Sequence, residues 1–165
     1  MDPSSKCRAA VDMLLTEPDF QSLLGKRAGW KLPISCEECS SSGVEGSARA
    51  FLHENPLGVT LCTNRLRSDD DVRSALRHEL VHAYDYKLNR YDFSTCEGLA
   101  GTEIRAAREA ECNRTFPLAA LKELCIEYHA TRSTANLFPE DAAKCVRRQM
   151  KTASKDIAPF QSNSS

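Results

Sequence analysis

His78, Glu79 and His82 form an H-E-x-x-H spacing inside residues 69–85, DDDVRSALRHELVHAYD. On a helix, residues four apart lie one turn above each other, so both imidazoles can close on a single cation. Zinc suits such donors, and it lowers the pKa of a bound water from about 16 to about 7. Glu79, beside the first histidine, is the carboxylate placed to take a proton from that water and return it to a leaving amine. These residue types at this spacing predict metal-dependent peptide hydrolysis with one catalytic Zn2+.

A third protein ligand decides the kind of site. The longer H-E-x-x-H-x-x-G-x-x-H pattern fails, because Asp85 stands at the glycine position and Leu88 at the last histidine. A downstream carboxylate is the remaining source. Glu103 follows His82 across residues 83–102, enough chain for a loop and a returning helix. Ala106, Ala107 and Ala110 lie at i+3, i+4 and i+7 from it, so the face presenting this carboxylate is stripped of bulk. Glu103 is the expected ligand, with Glu97 and Glu109 as substitutes. Asp85 shares the face of His78 and His82 but is short and one turn further on. It is expected to orient a ligating imidazole or water rather than coordinate, with plain surface exposure as the alternative. His129 and Tyr84 are candidates for stabilising an oxyanion.

The elements that position these groups follow from periodicity and punctuation. Ser68 and the acidic residues 69–71 cap the central helix, and Leu76, Leu80, Val81, Ala83 and Tyr84 surround the histidines with apolar groups. That pattern predicts a largely buried helix. Upstream, Ser4 or Ser5 caps a helix with Cys7, Val11, Leu14 and Leu15 on one face. Glu17-Pro18 interrupts it, Asp19 restarts a short turn, and Gly25 ends that turn. Trp30, Pro33 and Cys36-Glu37-Glu38-Cys39 punctuate the next stretch, before a flexible run at 40–46. Residues 48–52 and 59–63 read as a hairpin around a turn at 53–58, with His53 a solvated turn residue. An exposed edge of such a hairpin is a template on which an extended peptide can add as a strand.

Downstream, a polar loop leads to a helix over about 102–112. Phe116-Pro117 opens another, with Leu118, Leu121, Cys125 and Tyr128 on one side. Pro139 at a first-turn position opens the last, in which Ala142, Val146 and Met150 align. Its other face carries Arg147, Arg148, Lys151 and Lys155, a solvated stripe or a contact for an anionic membrane. The fold class expected is α+β, a mainly helical zincin-like domain with a small antiparallel sheet or hairpin before the H-E-x-x-H helix. One domain is expected over 1–158, with a disordered tail at 159–165.

Composition narrows the partners. With 165 residues, 22 basic and 23 acidic side chains and a net charge of −1, no global field attracts nucleic acid, and none is expected as a partner. No secretory signal is evident, and no apolar run approaches the roughly 18 residues of a membrane span. Eight cysteines, an even number, suggest disulfides, with buried thiols as the alternative. The C-x-x-C at 36–39 has no second half of a zinc finger and no redox-fold setting, and is read as structural.

The segments HELVHAYD (78–85) and TEIRAAREAEC (102–112), with the upstream CEEC and the spread of cysteines, resemble the family of mitochondrial inner-membrane metalloproteases that mature an ATP-synthase subunit, also called the Ku-binding-protein family. The resemblance spans most of residues 7–150. It implies metal ligands at His78 and His82 and a catalytic Glu79. It also implies a place in the intermembrane space, peripheral to the inner membrane, where oxidising import would suit eight cysteines. Its substrate would be an ATP-synthase membrane-sector subunit, whose assembly such proteins assist, or the chain would be a non-proteolytic assembly factor with a dispensable metal site. The run AAREAEC departs from the family's small-and-polar residues, so no role is assigned on this ground to Glu109 or Glu111.

Overall fold

A computed structural model of the chain describes residues 1–25, 31–42 and 46–160. Trp30, part of the flexible run (43–45) and most of the expected disordered tail (161–165) lie outside the described residues. The chain forms two compact units, Met1–Ala83 and Tyr84–Ser165.

The first unit opens with α1 (Pro3–Leu14) and α2 (Pro18–Leu24). Asp2, not Ser4 or Ser5, caps α1. Its carboxylate accepts from the Ser5 amide at 3.0 Å, and Pro3 occupies a first-turn position where a missing N–H costs nothing. Pro18 likewise starts α2, one residue before Asp19, and Gly25 ends it at φ 71°. Three strands follow, β1 (Ile34–Glu37), β2 (Ala50–Glu54) and β3 (Leu57–Cys62), in the order β1-β3-β2. β3 runs antiparallel to β2 and parallel to β1, so the sheet is mixed rather than antiparallel.

The hairpin is tighter than its Pro and Gly suggested, because only Asn55-Pro56 lies between the strands. His53 therefore sits in β2 opposite Gly58, half-buried rather than solvated in a turn, with Nδ1 2.9 Å from the Pro56 carbonyl. Disulfide Cys7–Cys36 ties α1 to β1, and Cys39–Cys62 ties the segment after β1 to the end of β3. The C-x-x-C cysteines thus reach different partners, which is the structural use expected of them.

α3 (Asp69–Lys87) begins in the first unit, with the Ser68 hydroxyl accepting from the Asp71 amide at 3.1 Å. Val72, Ala75, Leu76, Leu80, Val81 and Ala83 along it are buried. Arg73 grips Glu17 through two hydrogen bonds of 2.6 and 2.7 Å, and Arg77 reaches Asp19 at 3.1 Å. Both guanidinium groups also lie 5.9 Å from the Phe20 ring centroid, so α2 is held to α3 by charge and aromatic contact together.

The second unit contains α4 (Cys96–Glu109), α5 (Ala119–Ala135) and α6 (Ala142–Ala153). Their shared core includes Ala100, Ile104 and Ala107 of α4, Ile126 and Ala130 of α5, and Val146 and Ala153 of α6. α4 begins at Cys96, well before the expected 102, with Thr95 capping through the Gly98 amide. Gly98 and Gly101, both before the expected start, lie inside it. A Cβ on Gly98 would sit 1.9 Å from the Asp92 carbonyl oxygen, and one on Gly101 would sit 2.5 Å from the Tyr91 ring. The preceding loop lies against this bare face. α6 starts at Ala142, so Pro139 precedes the helix instead of occupying its first turn. Leu118, Leu121 and Tyr128 are exposed beside or along α5, whose buried residues are Ile126, Ala130 and Thr134.

Cys96–Cys145 links α4 to α6, and Cys112–Cys125 links the turn after α4 to α5, which leaves no free cysteine. The molecule is α+β and mainly helical, as expected.

The two glycines make a ranked prediction. Gly98→Ala meets rigid backbone, and we expect a loss of about 3 kcal/mol or more, seen as a Tm drop of several degrees. Gly101→Ala meets a ring that can shift, and the gain in helix propensity of about 1 kcal/mol offsets part of the strain. Thermal melting in which Gly101→Ala is the more destabilised would contradict this packing.

Candidate metal centre and the ion-pair network of the second unit

The regular helix α3 brings His78 and His82 to one face. Their Nε2 atoms are 3.1 Å apart, and the rings meet edge to face with centroids 4.8 Å apart. Two imidazole nitrogens bound to a tetrahedral zinc at 2.0–2.1 Å lie about 3.3 Å apart, so this pair fits one such ion with little adjustment. His82 and Glu79 are buried, and His78 is half-buried.

In the second unit, Glu103 is buried on α4 between Thr102 and Arg105, both of which bind Asp85. Asp85, in the last turn of α3, is fully buried. It accepts from the Thr102 hydroxyl at 2.8 Å and from Arg105 Nε at 2.9 and 3.2 Å, with Arg90 Nε 3.5 Å away. The surface alternative considered for Asp85 is therefore wrong. Arg105 is itself almost fully buried, and it donates further to the backbone carbonyls of Asp156 and Ala158. Asp156 also takes two hydrogen bonds from Arg90 (2.6 and 2.7 Å) and one from the Tyr91 hydroxyl (2.7 Å). Burial alone would raise the Asp156 pKa, but Tyr91, Arg90 and Arg105 outweigh it and hold the carboxyl below its ordinary 3.8. Burial, reinforced by Asp156, pushes the Tyr91 phenol well above its usual value.

The substitute carboxylates have other partners. Glu97 accepts from Gln149 at 3.0 Å and Arg148 at 3.1 Å, and these bonds hold its pKa below the ordinary value. Glu109 accepts from Arg108 at 2.9 Å. Tyr84 lies under the Arg90 guanidinium, 5.4 Å from ring centroid to carbon. His129 lies on α5 beside the Cys112–Cys125 disulfide, in edge contact with Tyr128.

Thr102, Arg105, Arg90 and Asp156 were not singled out from the sequence. A signal existed for the first two, since they flank Glu103 in TEIR, and an arginine amid alanines on a buried helix must have an acidic partner. Asp156 had none, because it lies near the chain's end and its partners are distant in sequence.

Asp85→Ala leaves the buried Arg105 with only the partly exposed Asp156, 3.1 Å from Nη1, as an acidic partner, and should cost about 3 kcal/mol in urea unfolding, against about 1 for Thr102→Val. Asp156 is partly exposed, so Asp156→Asn should cost less, about 1–3 kcal/mol at neutral pH. Because its folded pKa is lowered, that contribution is complete above the unfolded value and fades as pH falls through the folded one. A wild-type advantage that stays constant from about pH 6 to about pH 2 would rule out this linkage.

The Peptidase M76 family matches residues 5–161. The chain is 31% identical to the mitochondrial inner membrane protease ATP23 homolog of Xenopus laevis, over 94% of this chain and 72% of that protein. It is 28% identical to the Homo sapiens homolog of the same name, over 77% of this chain and 54% of the relative. The mitochondrial inner membrane protease ATP23 of Candida albicans is 31% identical over 78% of this chain and 57% of its own length. The chain thus spans between about half and three-quarters of these relatives. No solved structure matches it. The M76 match covers nearly the whole chain, including the helix with the paired imidazoles and the helix bearing Glu103, and the chain belongs to the peptidase M76 family.

Proposed function

We propose that the chain is a zinc-dependent endopeptidase in which His78, His82 and Glu103 hold the metal and Glu79 is the general base and acid. The observation that carries this reading is the 3.1 Å convergence of the two Nε2 atoms on a chain of a peptidase family. Support for Glu103 comes from its burial within the turn of α4 that grips Asp85, whereas Glu97 and Glu109 are only partly covered.

Bound zinc would polarise the scissile carbonyl and acidify a water. Glu79 supplies the rest of the acid–base chemistry. A carboxylate oxygen takes the proton of the attacking water and then gives it to the amine nitrogen as the C–N bond breaks. Leu76, Leu80 and Val81, buried on other faces of the same turns, anchor this part of α3 in the core. Asp85 contributes by position, holding the end of α3 against α4. The exposed edge of β2 is the strand on which a peptide would add by main-chain hydrogen bonds.

The proposed setting is the mitochondrial intermembrane space, peripheral to the inner membrane, and the proposed substrate is an ATP-synthase membrane-sector subunit. Similarity to mitochondrial inner membrane proteases and the four disulfides support the setting. Exposed Arg147 and Lys151 on α6, with exposed Lys155 just beyond its end, support a peripheral contact, and no described helix is long and apolar enough to cross a membrane. One catalytic domain over 1–158 is proposed, on the strength of the family match and the continuity of α3.

Glu79→Gln should keep the zinc of the wild type and lose peptide cleavage by about 10²–10⁴-fold. Glu103→Ala should lose zinc itself, read as metal per purified chain. Undiminished cleavage by Glu79→Gln defeats the mechanism, and undiminished metal in Glu103→Ala moves the third ligand elsewhere. Assembly of the membrane sector that persists with cleavage-dead Glu79→Gln would assign that task to binding rather than proteolysis.

A further inference from the structure

We propose that Cys112, Cys125 and His129 form a second zinc site that opens only when the Cys112–Cys125 disulfide is reduced. The two sulfurs and a ring nitrogen of His129 all lie within 4.8 Å of one another. Cys125 and His129 are four apart on α5 and so project from one face, as His78 and His82 do on α3. Cys112 reaches them from the turn after α4. Two thiolates and an imidazole are a zinc donor set, with a fourth position left for water. Among the described residues, no other disulfide has a third such donor this close.

The geometry needs one change. The sulfurs are now covalently bonded, whereas two thiolates on a tetrahedral zinc stand about 3.8 Å apart at Zn–S lengths of about 2.3 Å. The Cα separation of 5.9 Å already suits either bridge, and Cys112 lies outside both helices, so a side-chain rotation in the turn can open the gap. Cys112 is fully buried and Cys125 half-buried, which makes Cys125 the sulfur that a reductant reaches.

The reductant is a dithiol. Its thiolate attacks Cys125 Sγ, the S–S bond breaks, and Cys112 leaves as a thiolate. The reductant's second thiol then displaces Cys125, closing the reductant's own disulfide and completing a two-electron transfer. Zinc takes both sulfurs as thiolates, and the protons they would otherwise carry go to solvent. The metal then ties the end of α4 to α5 in place of the covalent bond, and it masks the two sulfurs from reoxidation until it departs.

The test uses the full chain. Dithiol-reduced protein is freed of reductant without oxygen, mixed with zinc chloride alone, and alkylated, with the rate at each cysteine read by mass spectrometry. Zinc should slow alkylation of Cys112 and Cys125 by about tenfold or more relative to the other reduced cysteines, and His129→Ala should remove most of that protection. Reduced protein should also hold one zinc more than oxidised protein, and Cys125→Ser should lack the increment. Circular dichroism follows the helices throughout. Equal alkylation with and without zinc, equal protection in His129→Ala, or helix lost on reduction and not regained with zinc would each overturn the site.

Discussion

The Asp85–Arg105 pair is the interaction on which the second unit depends. Both groups are almost entirely removed from water, and neither charge is tolerable there alone. A buried ion pair contributes little net stability compared with apolar packing, but it is exacting about geometry. Arg105 satisfies that demand by directing Nε at Asp85 and its two Nη atoms at the carbonyls of Asp156 and Ala158. One guanidinium thereby fixes the last turn of α3, the middle of α4 and the segment after α6. Glu103 lies two residues from that guanidinium, so the proposed metal donor inherits the rigidity of the network.

Close approach elsewhere depends on what is missing from side chains. Gly98 and Gly101 let residues 91–92 lie against α4, and Ala100 and Ala107 pack into the shared helical core. The disulfides act on the unfolded chain as well, because each closes a loop whose entropy would otherwise favour unfolding, typically by about 2–4 kcal/mol per bridge. Their placement is complementary to the ion pairs. Two tie the small sheet to its neighbours in the first unit, and two tie the helices of the second.

The acidic residues divide by environment rather than by type. Glu97 is half-exposed and held by Arg148 and Gln149, a pairing of modest worth in water. Asp156 is partly covered and strongly engaged. Glu79 and Glu103 are buried, where a carboxylate has a large influence on any cation or proton near it.

The sequence by itself determined whatever depends on neighbours a few residues apart. The four-residue spacing of His78 and His82 on a largely buried helix fixes where two imidazoles converge, because helical geometry is the same in every fold. The Ser68 cap, the break at Pro18 and the hairpin were legible for the same local reason. Tertiary structure decided the rest. It chose among the many pairings that eight cysteines allow, placed β1 parallel to β3, moved His53 from a turn into a strand, and drew Gly98 and Gly101 into α4. It also brought Asp85 and Asp156 to Arg105. Those outcomes depend on which distant surfaces meet and exclude water, and no local spacing encodes that.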